Sequence, residues 1–435
     1  MKKIGIRRET KNIWEGRTPL IPEHVKELKE KYNILTYIQP SKIRVFKDEE
    51  YQEAGAIVKE NLSECQIIFG VKEMPVDFFE ENKIYIFFSH TIKGQKYNMP
   101  MLKRIMDLNC TLIDYEKITD ENGNRLIFFG YHAGLAGMID TLWALGKRYE
   151  YEGIKTPFSK IKNAFKYQTL ENVEKDFKEI AKEIEENGFP EEISPVVIGI
   201  TGRGHVSKGA QHIVKLLPYI QIEAKDLKNI IKNYQKNCIY LIVFKPEERV
   251  KHIEGKTFSK EDYYKNPSKY ISRFDEYLPY LTVLANGIYW EPKFPKLVTK
   301  KHIKELFEKY ENPKLKVIGD ITCDIEGSIE ITLKATDPGN PCFVYDPFTE
   351  TIKDGIEGKG IVVMAVDNLP AELSKDASVF FSNILKNYVP NIVNADYSKS
   401  FENLNLPPEI KRAVIVHNGK LTPDFEYLKE YLKDV

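Results

Sequence analysis

The sequence predicts an α/β protein of two units, each built on a largely parallel sheet. Three observations carry that prediction. Short apolar runs alternate with amphipathic helical patterns over the first 135 residues, the alternation resumes at Pro195, and that second start is a strand, a glycine turn and a helix. At 435 residues the chain has room for about two or three domains. Hydrophobic residues make up 42% and charged residues 29%, which suits a packed core and not a disordered chain. The 64 basic and 64 acidic residues cancel, so no basic field is present to draw nucleic acid. Cys65, Cys110, Cys238, Cys323 and Cys342 are dispersed and form no C-x-x-C pair. That pattern argues against a zinc site or a disulfide framework and fits a reducing compartment. The start, "MKKIGIRRETK", has no apolar h-region behind it, and no apolar run approaches the ~18 residues of a membrane span. The expectation is a soluble cytoplasmic protein with neither nucleic acid nor membrane as partner.

In the first unit the elements follow in order: "KIGI", "PEHVKELKEKY", "ILTYIQ", "CQIIFGV", "IYIFFS", "MPMLKRIMDLN" and "TLIDYE". The runs "CQIIFGV" and "IYIFFS" read as buried strands, short, rich in Ile and Phe and bounded by breakers. Each ends in one titratable group, Lys72 after the first and His90 after the second. A parallel sheet binds ligands at the carboxyl ends of its strands, so the matched pair points to chemistry. Arg125 opens the strand-like run "RLIFFGYH", and the glycine-alanine stretch that follows suits close approach by a ligand or by another helix. The segment "GYHAGLAGMIDTLWALGKRYEYEG" is predicted to be a long helix leaving the first unit. "NVEKDFKEIAKEIEEN" has apolar residues at helical spacing among dense charges, which predicts a solvated outer helix.

The second unit opens with "PVVIGITGRGHVSKGAQHIVKLLPYIQIE". Its turn is G-x-G-x-x-S: Gly202 permits a tight turn, Gly204 lets backbone approach a pyrophosphate, and Ser207 is small enough for close helix packing. A helix starting near Val206 would aim its free N–H groups at phosphates. Glu223, 21 residues after Gly202, is placed to accept from a ribose 2′-hydroxyl, as for NAD. Arg203 and Lys225 are suited instead to a 2′-phosphate, as for NADP, so the residues leave both cofactors open. Further strands are predicted at "CIYLIVF", "LTVLANGIYW", "KLKVIGDIT" and "GIVVMAV", and helices at "LPAELSKDASVFFSNILKNYV" and "PPEIKRAVI". Asp320 and Asp324 end one strand; Asp367 ends another, where it could cap the next helix or touch a cofactor. Arg17, in "EGRTPLIP", is a candidate carboxylate clamp. Neither H-E-x-x-H nor G-x-S-x-G occurs, so zinc-protease and serine-hydrolase chemistry have no support.

Taken in order, "RRETKNIWEGRTPLIPEHV", "GVKEMP", "FFSHTIKGQ", "IDYEK", "FFGYHAGLAGM", "TGRGHVSKGAQ", "YISRFDEYLPYLTVLANGIYWE", "GDITCDIEGSIE" and "VDNLPAELSKDAS" resemble the lysine-ketoglutarate reductase domain of bifunctional aminoadipic semialdehyde synthases. The resemblance runs from about residue 3 to about residue 430. A more distant likeness reaches the lysine-forming saccharopine dehydrogenases of fungi and alanine dehydrogenase. The segment "NPSKYISRFDEYLPYL" belongs with the reductase half and orders the two.

The resemblance implies two Rossmann-like domains with parallel sheets separated by an active-site cleft. The first would span 1–135, completed by C-terminal helices over 367–435; residues 136–194 would connect, and 195–366 would form the dinucleotide-binding domain. It implies a free-standing reductase joining L-lysine to 2-oxoglutarate with NADPH (or NADH) to give saccharopine, with a homo-oligomer open. Lys72 and His90 match the acid-base pair. Arg17, Gln95, Arg125 and Phe129 match dicarboxylate-binding positions, Thr322, Cys323 and Asp324 a substrate-facing turn, and Glu73 and Glu116 carboxylates that tune the pair. Gly202, Arg203, Gly204, His205, Val206, Glu223, Tyr289, Ile321, Val366, Asp367, Asn368 and Leu369 match cofactor-binding positions. One departure is Asn124, which stands where the fungal enzymes have an arginine. The alternatives are an NAD-dependent saccharopine or other opine dehydrogenase, a different amine such as ornithine, and a nucleotide-sensing protein without catalysis.

Overall fold

The computed structural model describes residues 1–433. Contacts divide the chain into two units, Met1–Phe128 together with the chain from Ser374 onward, and Phe129–Leu373. The fold class is the predicted one, with an eight-stranded and mostly parallel sheet in each unit.

In the first unit β1 (Lys2–Ile6), β2 (Ile34–Ile38), β3 (Ile57–Val58), β4 (Ile67–Phe69), β5 (Ile84–Phe87) and β6 (Thr111–Asp114) run parallel in the order β3-β2-β1-β4-β5-β6. Every residue of β4, β5 and β6 is buried, which is why these strands read as unbroken apolar runs and not as alternation. Helix α1 (Pro22–Tyr32) takes proline in its first turn and ends on Asn33 in the left-handed region, φ 55°. Helix α2 (Met99–Asp107) precedes β6. The strand order reverses between β1 and β4, so the loops after these two strands flank the point where doubly wound sheets bind ligands.

Two predicted elements of this unit differ. "PPEIKRAVI" is helical only over Pro408–Lys411; Val414–His417 is a strand antiparallel to β6 and forms a hairpin with Lys420–Leu421. Three consecutive β-branched residues favour the pleated surface over the helix. The strand-like run after Arg125 makes only an isolated bridge, Thr119 to Arg125, and then turns into the next helix.

The second unit contains β7 (Val196–Thr201), β8 (Tyr219–Gln221), β9 (Ile239–Phe244), the small pair β10 (Val250–His252) and β11 (Tyr270–Ser272), β12 (Val283–Asn286), β13 (Val317–Asp320), β14 (Cys342–Tyr345), β15 (Ile352–Asp354) and β16 (Ile361–Met364). Its large sheet is ordered β8-β9-β7-β12-β13-β16-β14-β15, antiparallel only at β14 and β15. The helix expected to leave the first unit, α3 (Gly130–Tyr151), packs within the second, and so does the segment expected to connect the two. Small residues explain this: a Cβ on Gly134 would lie 2.0 Å from the Val206 carbonyl oxygen, and one on Gly209 would lie 2.1 Å from that of Tyr131. The glycine-alanine stretch therefore serves helix-to-helix contact with α5 (His205–Val214), backbone against backbone. The charged helix α4 (Leu170–Asn187) buries Val173, Phe177, Ile180 and Ile184 and ends at Gly188, φ 68°.

Among the described residues no helix is long and apolar enough to cross a membrane, and no group of three metal-ligating side chains occurs.

Candidate active site

In the first unit the loops after β4 and β5 carry Lys72 and His90, and each loop is held by a buried carboxyl group. Glu9, in the loop after β1, accepts from the backbone N–H of Val71 at 2.7 Å and of Lys72 at 2.9 Å. Burial pushes the Glu9 carboxyl up to about 7, Glu15 adds to the rise, and the two N–H groups oppose it. Asp114, at the end of β6, accepts from the Ser89 N–H at 3.0 Å, from the Ser89 hydroxyl, and from the Glu116 N–H at 2.7 Å. Burial raises Asp114 to about 6, against the Ser89 hydrogen bond. His90 itself adopts φ 48°, an uncommon conformation for a residue other than glycine. The Asn98 side chain stabilises it by donating to the carbonyls of Ser89 at 3.0 Å and His90 at 3.1 Å.

The side chains on these loops form a charged cluster. Glu73 meets Nδ1 of His90 at 2.7 Å and Nζ of Lys11 at 2.7 Å. Burial alone would raise the Glu73 carboxyl, but His90 and then Lys11 outweigh it and hold it well below the usual carboxylate range. With Glu73 ionised, the bond places a proton on Nδ1 of His90 and turns Nε2 to other partners. Burial, followed by the Arg17 guanidinium, lowers the Lys72 ammonium from its ordinary value, against Glu15 and Glu73. Among the described residues the Lys72 ammonium makes no ion pair. A half-buried ammonium beside a guanidinium gives up its proton more readily than a solvated lysine does.

The expected carboxylate clamps are engaged within the protein. Arg17 and Glu15, both buried, form a bidentate pair, Nε to Oε1 at 2.7 Å and Nη2 to Oε2 at 2.6 Å. Arg125 pairs with Glu116, so Glu116 is joined to the arginine; Glu73, by contrast, is bonded directly to His90. The Arg125 side chain stays 49% exposed. Gln95 accepts from the Lys93 N–H at 3.0 Å. Asn124 donates to Asp120 at 2.9 Å.

In the second unit Gly202 turns at φ 90°, and a Cβ there would lie 2.6 Å from the Gly287 carbonyl oxygen, so only glycine fits. Nothing lies within 4 Å of a Cβ placed on Gly204, which leaves the N-terminus of α5, with His205 and Val206 in its first turn, open to a pyrophosphate. The residues fit a dinucleotide. Glu223, exposed just beyond β8, pairs with Lys225 at 2.6 Å and Lys245 at 3.1 Å, and these two ammoniums, Lys225 first, lower its carboxyl.

Beneath the turn lies a buried polar network that joins three strand ends. Thr201 donates to Asn286 at 2.8 Å; Asn286 donates to Asp320 at 2.9 Å and to Thr322 at 3.2 Å; Thr332 donates to Asp320 at 2.6 Å. Thr322 is thereby tied to the sheet. Cys323 adopts φ 47°, and its Sγ lies 3.9 Å from Asp367. Burial, then Asp367, pushes the Cys323 thiol up to about 12, so it is a neutral thiol. Asp324 and Tyr289 are exposed, Tyr289 to 80%. Asn368 stands at the N-cap of the turn Leu369–Ala371 without capping it through its side chain. Ile321, Val366 and Leu369 are buried in the apolar core, where Ile321 and Leu369 pack on Gly137 of α3, so only their backbone is available to a cofactor. Phe129 stands directly before α3, its ring 6.1 Å from that of His132.

Glu9, Asp114, Asn98, Asn286 and Lys245 escaped the sequence reading. Each acts through a partner in another segment, for Asn98 the turn just before its own helix; only Asp114, ending a strand beside the His90 strand, left a trace that periodicity could have found.

Two family models match, described as the alanine dehydrogenase/PNT N-terminal domain over residues 5–136 and the C-terminal domain over residues 289–424. Together they span more than half of the chain. The mitochondrial alpha-aminoadipic semialdehyde synthase of Rattus norvegicus is 37% identical over 98% of this chain. The chain spans 47% of that protein's length. A saccharopine dehydrogenase [NAD(+), L-lysine-forming] of Yarrowia lipolytica is 27% identical over 88% of this chain and 90% of its own. Among solved structures an L-alanine dehydrogenase superposes with a TM-score of 0.64 at 18% identity, covering 99% of both chains.

Proposed function

We propose, from the premise that this chain belongs to the alanine dehydrogenase/PNT family, that it condenses L-lysine with 2-oxoglutarate and reduces the product with NADPH to saccharopine. The observation that carries the reading is the charged cluster at the switch point of the first sheet. There a lysine lowered by burial and Arg17 stands beside Glu73, which is bonded to a histidine. The similarity to the rat synthase across 98% of this chain supports the choice of substrates.

Each residue then has a task. Lys72, in its neutral form, takes a proton from the substrate ammonium, and the freed amine attacks the keto carbon of 2-oxoglutarate. His90, its Nδ1 held by Glu73, presents Nε2 and protonates the departing hydroxyl, which leaves as water and gives the imine. A reduced nicotinamide dinucleotide, which the turn at Gly202 and Gly204 and the N-terminus of α5 would hold, would supply the hydride for converting the imine to the secondary amine. Arg125 keeps N–H donors toward solvent beyond its bond to Glu116 and binds a substrate carboxylate; Arg17, paired with Glu15, contributes positive potential beside Lys72. The reaction is set in the cytoplasm, a reducing compartment, which the five dispersed, unpaired cysteines support. The Yarrowia similarity favours a second reading, the NAD-linked reverse reaction.

The test follows the loss of near-ultraviolet nicotinamide absorbance with NADPH or NADH, 2-oxoglutarate, and either L-lysine or ornithine. Oxidation that requires both lysine and 2-oxoglutarate is expected. Nicotinamide binding without amine-dependent oxidation would overturn the substrate assignment.

A further inference from the structure

We infer that Lys245, together with Lys225, forms the part of the nucleotide site that receives a 2′-phosphate, so that selectivity for NADP(H) over NAD(H) rests on Lys245 and not on the acid Glu223. The inference deepens the dinucleotide reading given above and rests on it.

The strand order carries the argument. In the common dinucleotide fold the second strand lies beside the first, and the acid at its end reaches the ribose. Here β9 occupies that place: it pairs with β7 along its whole length, from Val196 opposite Ile239 to Thr201 opposite Phe244. Strand β8 pairs only with β9 and is exposed at all three residues, as an edge strand is. Lys245 follows Phe244, and Gly202 follows Thr201, so Lys245 stands one strand away from the glycine turn, about 4.8 Å. Glu223 comes from the next strand out, at about twice that spacing. It is also set back, because Gln221 is level with Leu241 and Ile198. The residue at the ribose-reading position is thus a cation.

The charges agree. The Glu223 carboxylate already accepts from two ammonium groups, at 2.6 and 3.1 Å, and a ribose hydroxyl would compete with both. A phosphate offers three acceptor oxygens and can take these ammoniums from Glu223. Arg203, in the glycine turn, is exposed and makes no ion pair among the described residues. Two other carboxylates nearby face backbone: Asp226 accepts from the Glu223 N–H at 3.1 Å and Glu248 from the Lys245 N–H at 2.7 Å. Glu223 therefore acts against the phosphate and is the gate on its affinity.

The experiment is calorimetric titration of the full chain with adenosine 2′,5′-bisphosphate and with ADP, which reports binding without turnover. The native protein is expected to prefer the 2′-phosphorylated ligand. Lys245→Gln should weaken it about tenfold while leaving ADP within about twofold, the ordinary loss of one charge-assisted contact. Glu223→Gln should strengthen it. Retained ADP binding shows that each variant folds. Equal affinity for the two ligands in the native protein, or an unchanged preference in Lys245→Gln, overturns the inference while leaving the dinucleotide site intact. Binding of neither ligand overturns both.

Discussion

Replacing Glu9 with glutamine tests how the Lys72 loop is built. Glu9 is buried, and its carboxyl is raised from an ordinary 4.5 to about 7, chiefly by burial. A raised carboxyl makes the folded state bind its proton more tightly than the unfolded chain does. Its contribution therefore favours folding at low pH and is lost as pH rises from about 4.5 to 7. At about 1.4 kcal/mol per pH unit, the shift is worth about 3 kcal/mol, of which roughly 2–3 kcal/mol falls between pH 5 and pH 8. Glutamine cannot ionise, so this part of the slope should vanish. It also offers one acceptor oxygen where the N–H groups of Val71 and Lys72 need two, which costs about 1–3 kcal/mol at every pH. The assay is urea denaturation of both proteins at pH 5 and pH 8. The native protein should lose roughly 2–3 kcal/mol more than the variant across that interval. Parallel pH profiles would refute the reasoning, because Glu9 would then be ionised throughout. The variant should also turn over more slowly, since the loop that aims Lys72 has lost one of its two anchors.

Lys72→Met should lower kcat by about 10²–10⁴-fold in the nicotinamide assay, the usual range for a proton-transfer group; an intact kcat would remove Lys72 from the chemistry. Asp114→Asn should lower kcat about tenfold or more and leave nucleotide affinity unchanged, because it loosens the Ser89 anchor of the His90 loop without touching the glycine turn. Arg17→Met leaves the buried Glu15 carboxylate without its guanidinium and should cost about 3–5 kcal/mol in denaturant unfolding; a loss below 1 kcal/mol would mean the pair is solvated. Gly209→Val places side-chain atoms against the Tyr131 carbonyl and should destabilise by about 3 kcal/mol or more, seen as a lower thermal midpoint.

The local grammar of the chain was legible without coordinates. Buried parallel strands announce themselves as apolar runs, a strand followed by G-x-G and a helix announces a tight turn between them, and the residues after those runs stand at the carboxyl edge of the sheet. Lys72, His90 and Gly202 could be placed at the ends of their strands this way because those positions follow from their own neighbours in sequence. Glu73 was legible as a neighbour of Lys72, while its bond to His90, 17 residues on, needed the fold.

Other features depended on which segments become neighbours in space. Whether α3 leaves one unit or packs in the other turns on the glycines of two helices meeting, Gly134 with Gly209, and neither helix encodes the meeting alone. Glu9 lies 62 residues from Val71, and nothing in "RRETK" marks it as the acceptor for another loop's backbone. Lys245, and not Glu223, stands one strand from the glycine turn because β9 inserts between β7 and β8. Hydrophobic pattern specifies that a segment is a strand, whereas its place in the sheet is set by the packing of whole layers, and only tertiary structure decided that.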